Sequence, residues 1–319
     1  MSRADRYEID GVGFTLRDPD ASTVRETVPG HSYEPGVTRL LRALLQKGEP
    51  TFVDIGALYG YFALYAAALN PRCRVHAVEP HPQYHDVLTA NVRDNGVAVE
   101  CHRVAFSDTT GAVGMRGKAL EGPRAGRPLQ SLARGAARSL ARRSAAKASS
   151  EHGSGAATDG LARRVSLLEW GGAALKHTVR SARRAARPAA TVAALRYDDW
   201  ADQNGVRADV VKIDVHGAEG MVLAGMAASL RHLDSVLVEV HSPQMMLGHG
   251  PSEVLDMLEN GGFRLYEVVG FRTDAAGVEA LVGKRRRDFA DPGGWTLGDL
   301  SLMRMVFASK RSEAELLAG

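Results

Sequence analysis

The stretch Thr51-Phe-Val-Asp-Ile-Gly-Ala-Leu-Tyr-Gly-Tyr-Phe-Ala-Leu-Tyr65 decides the fold of this chain. Its apolar start predicts a buried parallel strand that ends near Asp54, and residues 61–69 predict a helix. Gly56 and Gly60 lie in the turn between them, where glycine lets a ligand approach the backbone and the helix N-terminus offers free N–H groups. The stretch therefore predicts a nucleotide-type binding turn in an α/β fold.

The acidic residue before this turn favours one class of cofactor. Gly56 and Gly60 do not form the Gly-x-Gly-x-x-Gly pattern of dinucleotide sites. The carboxylate of Asp54 would repel a pyrophosphate, whereas it suits a ligand that carries an ammonium or a sulfonium group. S-adenosylmethionine carries both groups, so the turn favours this cofactor over NAD.

A second acidic residue follows the next predicted strand, which runs from Arg74 to Val78. Glu79 and Pro80 come directly after this strand. In α/β nucleotide-binding folds, an acid at the tip of the second strand holds the ribose hydroxyls. The two strand-tip acids and the glycine turn together predict the cofactor site.

A third block, residues 209–219, reads Asp-Val-Val-Lys-Ile-Asp-Val-His-Gly-Ala-Glu and completes a longer pattern. The pattern resembles that of the FkbM-type S-adenosylmethionine-dependent methyltransferases in residues 52–60, 78–80, 91, 209–219 and 235–239. The resemblance covers roughly residues 33–111 and 190–270. His216 departs from it, because the family usually has Glu at this position.

The alternation of strands and helices predicts a doubly wound, mostly parallel α/β sheet. The resemblance implies the seven-stranded, Rossmann-like fold of class I methyltransferases, with an antiparallel last strand near residues 301–308. Residues 1–111 are expected to form an N-terminal part and the first half of the methyltransferase domain. Residues 112–189 are predicted to be a basic Ala/Arg-rich insertion, helical or flexible, and residues 190–319 to be the second half.

The basic charge of the chain is concentrated in this insertion. Residues 116–189 contain 16 of the 40 Lys/Arg and 4 of the 37 Asp/Glu, a net charge of +12 in a chain of net charge +3. Apolar residues at helical spacing predict basic amphipathic helices, which favour an anionic membrane surface as partner. Nucleic acid is less favoured, because aromatic residues for base stacking are absent apart from Trp170. A solvated insertion without any partner is the alternative.

The composition is typical of a cytoplasmic globular protein. The chain has only two cysteines, Cys73 and Cys101, too few for a disulfide framework or a zinc cluster and typical of a reducing compartment. Its N-terminus lacks the apolar region of a signal peptide, and no stretch approaches the ~18 apolar residues of a membrane span. We therefore predict a cytoplasmic protein without a transmembrane segment, with a peripheral membrane location if the insertion binds lipid.

The resemblance also implies cofactor residues that the turn alone does not reveal. Glu34 precedes the first central strand, and Ser107 and Asp108 follow the third strand, where this fold class often contacts the adenine. A helix-start acid and a polar turn are the alternative interpretations. The complete predicted cofactor set is Glu34, Asp54, Gly56, Ala57, Gly60, Glu79, Pro80, Ser107, Asp108 and Asp214.

The predicted catalytic residues are Asp214, His216 and His241, which come at or just after the ends of two predicted strands. Methyl transfer requires alignment of the partners and removal of a proton from the acceptor oxygen. Because imidazole titrates near neutral pH, either histidine is a candidate base beside Asp214. Alternatively, Asp214 and Glu239 are oxygen ligands of Mg²⁺, as carboxylates are in catechol O-methyltransferase and some other class I enzymes.

The resemblance implies an S-adenosylmethionine-dependent O-methyltransferase that acts on a hydroxyl of a small molecule, a sugar or a glycolipid. Two alternatives stay open. One is a methyltransferase of RNA or another anionic polymer that uses the basic insertion, and the other is a non-catalytic cofactor-binding module. The absence of an Asn/Asp-Pro-Pro-Tyr motif after the fourth strand counts against methylation of a base nitrogen.

Overall fold

The computed structural model describes residues 4–19, 33–116, 119–121, 190–268, 281–283, 303–312 and 315–316. Residues 122–189, most of the predicted insertion, lie outside this part of the chain. The helices and the anionic partner predicted there therefore stay predictions. Among the described helices, none has the length and apolar character that a bilayer span requires.

The described part of the chain contains fourteen strands and six α-helices. The strands are β1 Ala4–Ile9, β2 Val12–Arg17, β3 Thr51–Ile55, β4 Arg74–Val78, β5 Val99–His102, β6 Ala105–Phe106, β7 Gly111–Arg116, β8 Ala119–Glu121, β9 Ala190–Leu195, β10 Val210–Ile213, β11 Ser235–His241, β12 Arg264–Val268, β13 Leu281–Gly283 and β14 Met303–Ser309. The helices are α1 Pro35–Leu45, α2 Tyr61–Leu69, α3 Pro82–Asn95, α4 Tyr197–Asn204, α5 Glu219–Gly225 and α6 Pro251–Asn260.

The main sheet confirms the predicted doubly wound fold. Its strand order is β13-β12-β14-β11-β10-β3-β4-β5, and β11, β10, β3, β4 and β5 are parallel to one another. Strand β14 is antiparallel to both β11 and β12, as expected for the last strand. Strand β13 adds an edge to the seven predicted strands, and at three residues it is too short to show a hydrophobic period.

Burial on both faces explains why the central strands are almost continuously apolar. All five residues of β3 are buried. Phe52 packs with α1 and α2 in one hydrophobic cluster, whereas Val53 and Ile55 pack with α5 and α6 in the other. Since successive side chains of a strand point to opposite faces, the sheet separates two layers of helices. The strand-tip acids predicted from the sequence lie at or near the carboxyl ends of these strands.

The N-terminal strands β1 and β2 form an antiparallel hairpin. Side chains of α3 attach the hairpin, because Asn95 Oδ1 accepts from Thr15 N at 2.7 Å and Asn91 Oδ1 accepts from Arg17 N at 2.9 Å. Asn91 is itself buried and donates to Tyr59 O at 2.9 Å. This motif residue therefore joins the hairpin to the turn after β3.

A second sheet of the described residues has the order β6-β9-β7-β8. Strand β7 contains residues 112–116, which were predicted to begin the insertion. It pairs antiparallel with β9, which follows residues 122–189 in the chain. Met115 is only 3% exposed within it. The first residues of the predicted insertion are thus part of a packed sheet, so the segment available for deletion begins after β8.

Two deletions are expected to differ in stability for this reason. Joining Glu121 to Ala190 through a Gly/Ser bridge of about six residues spans two strand spacings of roughly 5 Å each and leaves β7 intact. We expect this variant to keep the thermal transition of the full chain. Removal of residues 112–189 exposes the partner strand β9 and loses buried Met115, so its melting temperature should fall by several degrees. Calorimetry measures the melting temperature of both variants. An equal fall in melting temperature for the two deletions would contradict the prediction.

Candidate active site

The turn after β3 depends on glycine because two strand ends approach closely there. Gly56 has φ 83°, and its N–H donates to Val78 O at 2.9 Å. A Cβ on Gly56 would lie 1.9 Å from Asp214 O. The glycine predicted to admit a ligand therefore first admits the backbone of the loop after β10. Gly60, with φ 92°, caps α2 at a point where a Cβ would meet Leu88 at 2.5 Å.

Glu79 connects the turns that follow β3 and β4. Its Oε2 accepts from Leu58 N at 3.1 Å, and its Oε1 accepts from His81 N at 2.8 Å. Glu79 is only 4% exposed, yet it lines a cleft of the described structure. Because a carboxylate oxygen accepts more than one hydrogen bond, Glu79 can hold both turns and still bind hydroxyl groups.

The cleft has an apolar wall and a polar end. Among the predicted cofactor residues, Gly56, Glu79, Pro80 and Asp214 line it. The apolar wall was not predicted from the sequence, since its residues come from separate loops, from strands of both sheets and from α3: Tyr33, Leu58, Val78, Tyr84, Val104, Phe106 and Met115. An aromatic residue before α1 and an apolar residue after β5 are the only sequence signals that point to this wall.

The other predicted cofactor residues do not line this cleft. They are Glu34, Asp54, Ala57, Gly60, Ser107 and Asp108. Ser107 is buried and donates from Oγ to Asp108 Oδ1 at 3.0 Å, which is the geometry of the polar turn given as its alternative. Glu34 is buried and has φ 45° at the start of α1. Contact of these residues with the cofactor stays a prediction.

A buried lysine lies between two of the predicted acids. Lys212 Nζ is 3.9 Å from Asp54 Oδ1 and 3.5 Å from Asp214 Oδ2, and it lies 4.9 Å from the centre of the Phe62 ring. Burial by itself lowers the pKa of Lys212. The neighbouring carboxylates, first Asp214 and then Asp54, outweigh this effect and raise the pKa overall. The ammonium group therefore stays charged inside the sheet.

The two aspartates next to Lys212 differ in pKa. Burial raises the pKa of Asp54 to about 6, although the lysine opposes this shift. Burial also acts to raise the pKa of Asp214, but Lys212 and then His216 lower it well below its usual range. Asp214 is the more exposed of the two, at 16% of its side chain, and it reaches the cleft. Asp214 therefore presents an ionised carboxylate to a ligand, whereas Asp54 faces the protein interior.

The two predicted histidines lie together but in different surroundings. His216 Nδ1 is 3.9 Å from Asp214 Oδ1 and 3.5 Å from His241 Nε2, and 31% of the His216 side chain is exposed. His241 is fully buried at the end of β11. The structure therefore brings all three predicted catalytic residues to one place, with His216 nearest to the solvent.

Glu219 belongs to this cluster and was not predicted as a site residue. Its Oε1 is 2.8 Å from His241 Nδ1 and accepts from Gly217 N, also at 2.8 Å. Burial by itself lowers the pKa of His241, but the hydrogen bond and the charge of Glu219 raise it overall. Glu219 closes the sequence block 209–219, which is the only signal that could have identified it.

The cluster also contains the acids of the metal alternative. Asp214, His216, Glu239 and His241 each offer a ligand atom, and these atoms lie within 4.8 Å of one another. Mg²⁺ prefers an octahedral set of oxygen ligands, whereas imidazole suits first-row transition ions. The predicted pair Asp214 and Glu239 is thus accompanied by two nitrogen donors, which makes the set a poorer match to Mg²⁺ than two carboxylates alone.

Comparison with known proteins gives one family. A family model described as "Methyltransferase FkbM domain" matches residues 54–265. No match was found among curated proteins. The predicted cofactor turn, Glu79 and the cluster around Asp214 all lie inside the matched segment.

Several solved structures are similar to this chain. A precorrin-6y C5,15-methyltransferase from Geobacter metallireducens is 12% identical, with a TM-score of 0.37 and coverage of 91% of this chain and 92% of that one. A SAM-dependent methyltransferase from Agrobacterium tumefaciens is 8% identical, with a TM-score of 0.44 and coverage of 98% and 71%. Aeropyrum pernix fibrillarin, solved with S-adenosyl-L-methionine, is 13% identical, with a TM-score of 0.37 and coverage of 97% and 100%. With TM-scores below 0.5, these likenesses say nothing about the substrate of this chain.

Asp54→Asn is expected to change the pH dependence of stability. Because the folded-state pKa of about 6 exceeds the value of 3.8 in a solvated chain, the folded protein holds this proton more tightly than the unfolded protein does. The resulting stabilisation is fully present below pH 3.8 and is lost as the pH rises through about 6, a change of roughly 3 kcal/mol.

Urea unfolding at several pH values measures this effect. The wild type should lose roughly 3 kcal/mol relative to Asp54→Asn between about pH 4 and about pH 7. Asp202→Asn, at an exposed position of α4, serves as the control and should show no such trend. A difference between wild type and Asp54→Asn that does not vary with pH would show that Asp54 is ionised throughout.

Proposed function

The chain belongs to the family of FkbM methyltransferases, which use S-adenosylmethionine. We infer that its methyl acceptor is a hydroxyl oxygen of a small molecule, a sugar or a glycolipid. One observation carries the inference. A single cleft is lined by the predicted cofactor residues Gly56 and Glu79 and also by Asp214 and His216. A methyl donor and a proton acceptor would therefore share one cavity.

The side chains of the cleft fit S-adenosylmethionine in their chemistry. The carboxylate of Glu79 suits the ribose hydroxyls, and the apolar surfaces of Phe106 and Met115 suit the adenine ring. Asp214 supplies a negative charge for the cationic end of the cofactor, because its carboxylate stays ionised beside Lys212. When bound, the cofactor supplies a methyl group that its sulfonium has already activated toward attack by oxygen.

His216 is the proposed general base. It lines the cleft and is partly exposed, so a hydroxyl group can approach its ring. Its Nδ1 faces Asp214 Oδ1 at 3.9 Å, and a carboxylate beside one ring nitrogen stabilises the imidazolium that forms when the other takes a proton. The proton of the acceptor hydroxyl therefore passes to His216 as the oxygen forms its bond to the methyl carbon.

His241 has a positioning role in this proposal. The side chain is fully buried, and Nδ1 is held by Glu219 at 2.8 Å. Because His241 does not line the cleft, whereas His216 does, this buried imidazole is a weaker candidate for accepting the proton of a substrate. Its Nε2 lies 3.5 Å from His216 Nδ1, so His241 can fix the orientation of the proposed base.

Cofactor binding is tested by titration calorimetry with S-adenosylhomocysteine. Glu79→Gln keeps the shape of the side chain but removes its charge, so it weakens the hydrogen bonds to the ribose. We expect a 1:1 complex with the wild type and about tenfold weaker binding by Glu79→Gln, which corresponds to ~1.4 kcal/mol. Glu259→Gln, on the exposed side of α6, is the matched control. Equal affinities of all three proteins for S-adenosylhomocysteine would show that Glu79 does not bind the cofactor.

The class of acceptor is tested with methyl-labelled cofactor and cell extract that is then separated into lipid, RNA and small-molecule fractions. We expect the label in lipids or small molecules, in linkages with the stability of an ether. Label in the RNA fraction alone would overturn the proposal and favour the anionic-polymer methyltransferase that the basic segment suggested. Absence of label from every fraction, with intact cofactor binding, would favour the non-catalytic module.

The role of His216 is tested on the acceptor found in this way. We expect His216→Gln to lower kcat by about 10²–10⁴-fold and to remove the limb of the pH profile that reports the base. Its affinity for S-adenosylhomocysteine should stay close to that of the wild type, because the carboxylate of Asp214 is unchanged. An unchanged kcat in His216→Gln, or a rate restored only by an added divalent cation, would contradict the proposed base.

A further inference from the structure

A second group of metal-ligating side chains lies on β4 and β5, at the edge of the main sheet as described. His76 is on β4, and Glu100 and His102 are on β5. In the parallel register, His76 is opposite Glu100 and Val78 is opposite His102. Since residues i and i+2 of a strand share a face, all three side chains lie on the same face of two neighbouring strands. None of them lines the cleft.

The ligand atoms of these residues have the spacing of a metal site. His76 Nδ1 is 3.2 Å from His102 Nε2 and 3.7 Å from Glu100 Oε2, and the three atoms lie within 4.8 Å of one another. A tetrahedral ion that binds nitrogen or oxygen at ~2.0–2.1 Å separates its ligand atoms by about 3.4 Å. Small side-chain adjustments would therefore place the three atoms around one ion.

The three side chains are packed against the protein on one side and are open to solvent on the other. His76 is buried, and Trp200 of α4 contacts both imidazole rings edge-on, with ring centres 5.8 Å from His76 and 5.0 Å from His102. By contrast, 72% of the Glu100 side chain is exposed. An apolar shell beside the ligands limits their motion, and the open side gives an ion a route from solvent and leaves room for a bound water.

We propose that His76, Glu100 and His102 bind one divalent first-row transition cation, with Zn²⁺ as the best fit. Two imidazoles and one carboxylate are ligands that Zn²⁺ accepts readily, whereas Mg²⁺ and Ca²⁺ prefer sets made only of oxygen. A water molecule completes the tetrahedron on the side of Glu100. The ion joins β4 to β5, next to the point where Glu79 N donates to His102 O at 3.0 Å. It therefore supports the strand end that carries Glu79.

The contact between the two histidines also has a simpler explanation, and the test must distinguish it from metal binding. One ring can donate a hydrogen bond to the other when both are neutral, with no ion involved. In the metal site, His76 coordinates through Nδ1 and His102 through Nε2, so neither of these facing nitrogens carries a proton. The ring that donates the hydrogen bond in the metal-free arrangement therefore carries its proton on the opposite nitrogen when the ion is bound. Only the second arrangement requires Glu100, because the hydrogen bond between the imidazoles does not involve its carboxylate.

The test uses the full chain after treatment with a chelator. Equilibrium dialysis against Zn²⁺ measures binding, and the visible absorption of bound Co²⁺ reports tetrahedral nitrogen and oxygen ligands. We expect Glu100→Gln and His102→Ala to weaken the ion bound by the wild type at least about tenfold. Glu100→Gln is the decisive variant, because its exposed side chain can be changed without loss of the metal-free fold.

Two controls distinguish this site from other histidines. His232→Ala removes an exposed imidazole outside both clusters, and His216→Ala removes a ligand from the cluster at the cleft. Both variants should keep the ion, and Zn²⁺ should raise the melting temperature of both but not that of Glu100→Gln. Binding that is lost in His216→Ala and kept in His102→Ala would assign the ion to the cleft and overturn the proposal. Absence of Zn²⁺ binding by the wild type at micromolar concentrations would also overturn it.

Discussion

The ion pairing of one buried lysine with two aspartates is the constraint on which the site depends. Lys212 and Asp54 are opposite each other in the register of β10 and β3, and Asp214 follows Lys212 on the same face of its strand. Two carboxylates at this depth would be strongly destabilising without a cation, because unpaired buried charges are costly. Removal of one partner from a buried pair typically costs about 3–5 kcal/mol. The lysine thus allows Asp54 and Asp214 to lie at the ends of two neighbouring central strands.

The same network gives each acid its own chemistry. Asp54 is buried with a pKa of about 6, so above this pH it is mostly ionised and balances the charge of Lys212. Asp214 is ionised and reaches the cleft, where it can act on a ligand. Glu79 accepts hydrogen bonds from the backbone N–H groups of Leu58 and His81. Residues of one chemical type at equivalent strand ends therefore differ in charge and accessibility, because burial and neighbours set their pKa values.

The loop after β10 brings the remaining groups together. His216 has φ 54° and Gly217 has φ 107°, and a Cβ on Gly217 would lie 2.1 Å from Met245 O. Two consecutive left-handed residues reverse the chain sharply, which directs His216 back toward Asp214 and places Glu219 under His241. A non-glycine residue at positive φ is strained, and such strain is often found at functional sites. The tight turn is therefore the physical link between the block 209–219 and the cluster at the cleft.

The sequence by itself determined the fold and the family, because strand and helix periods, glycine turns and strand-tip acids are local patterns. It also placed Asp214, His216 and His241 at strand ends that a parallel sheet must bring to one edge. Three pairings became visible only in the folded structure. Lys212 pairs with Asp54, Glu219 pairs with His241, and strand β9 pairs with strand β7. Each of these pairs joins residues far apart in the chain. Hydrophobic periodicity fixes which face a side chain takes, but charge pairing and pKa depend on distances of a few ångströms that arise only on folding.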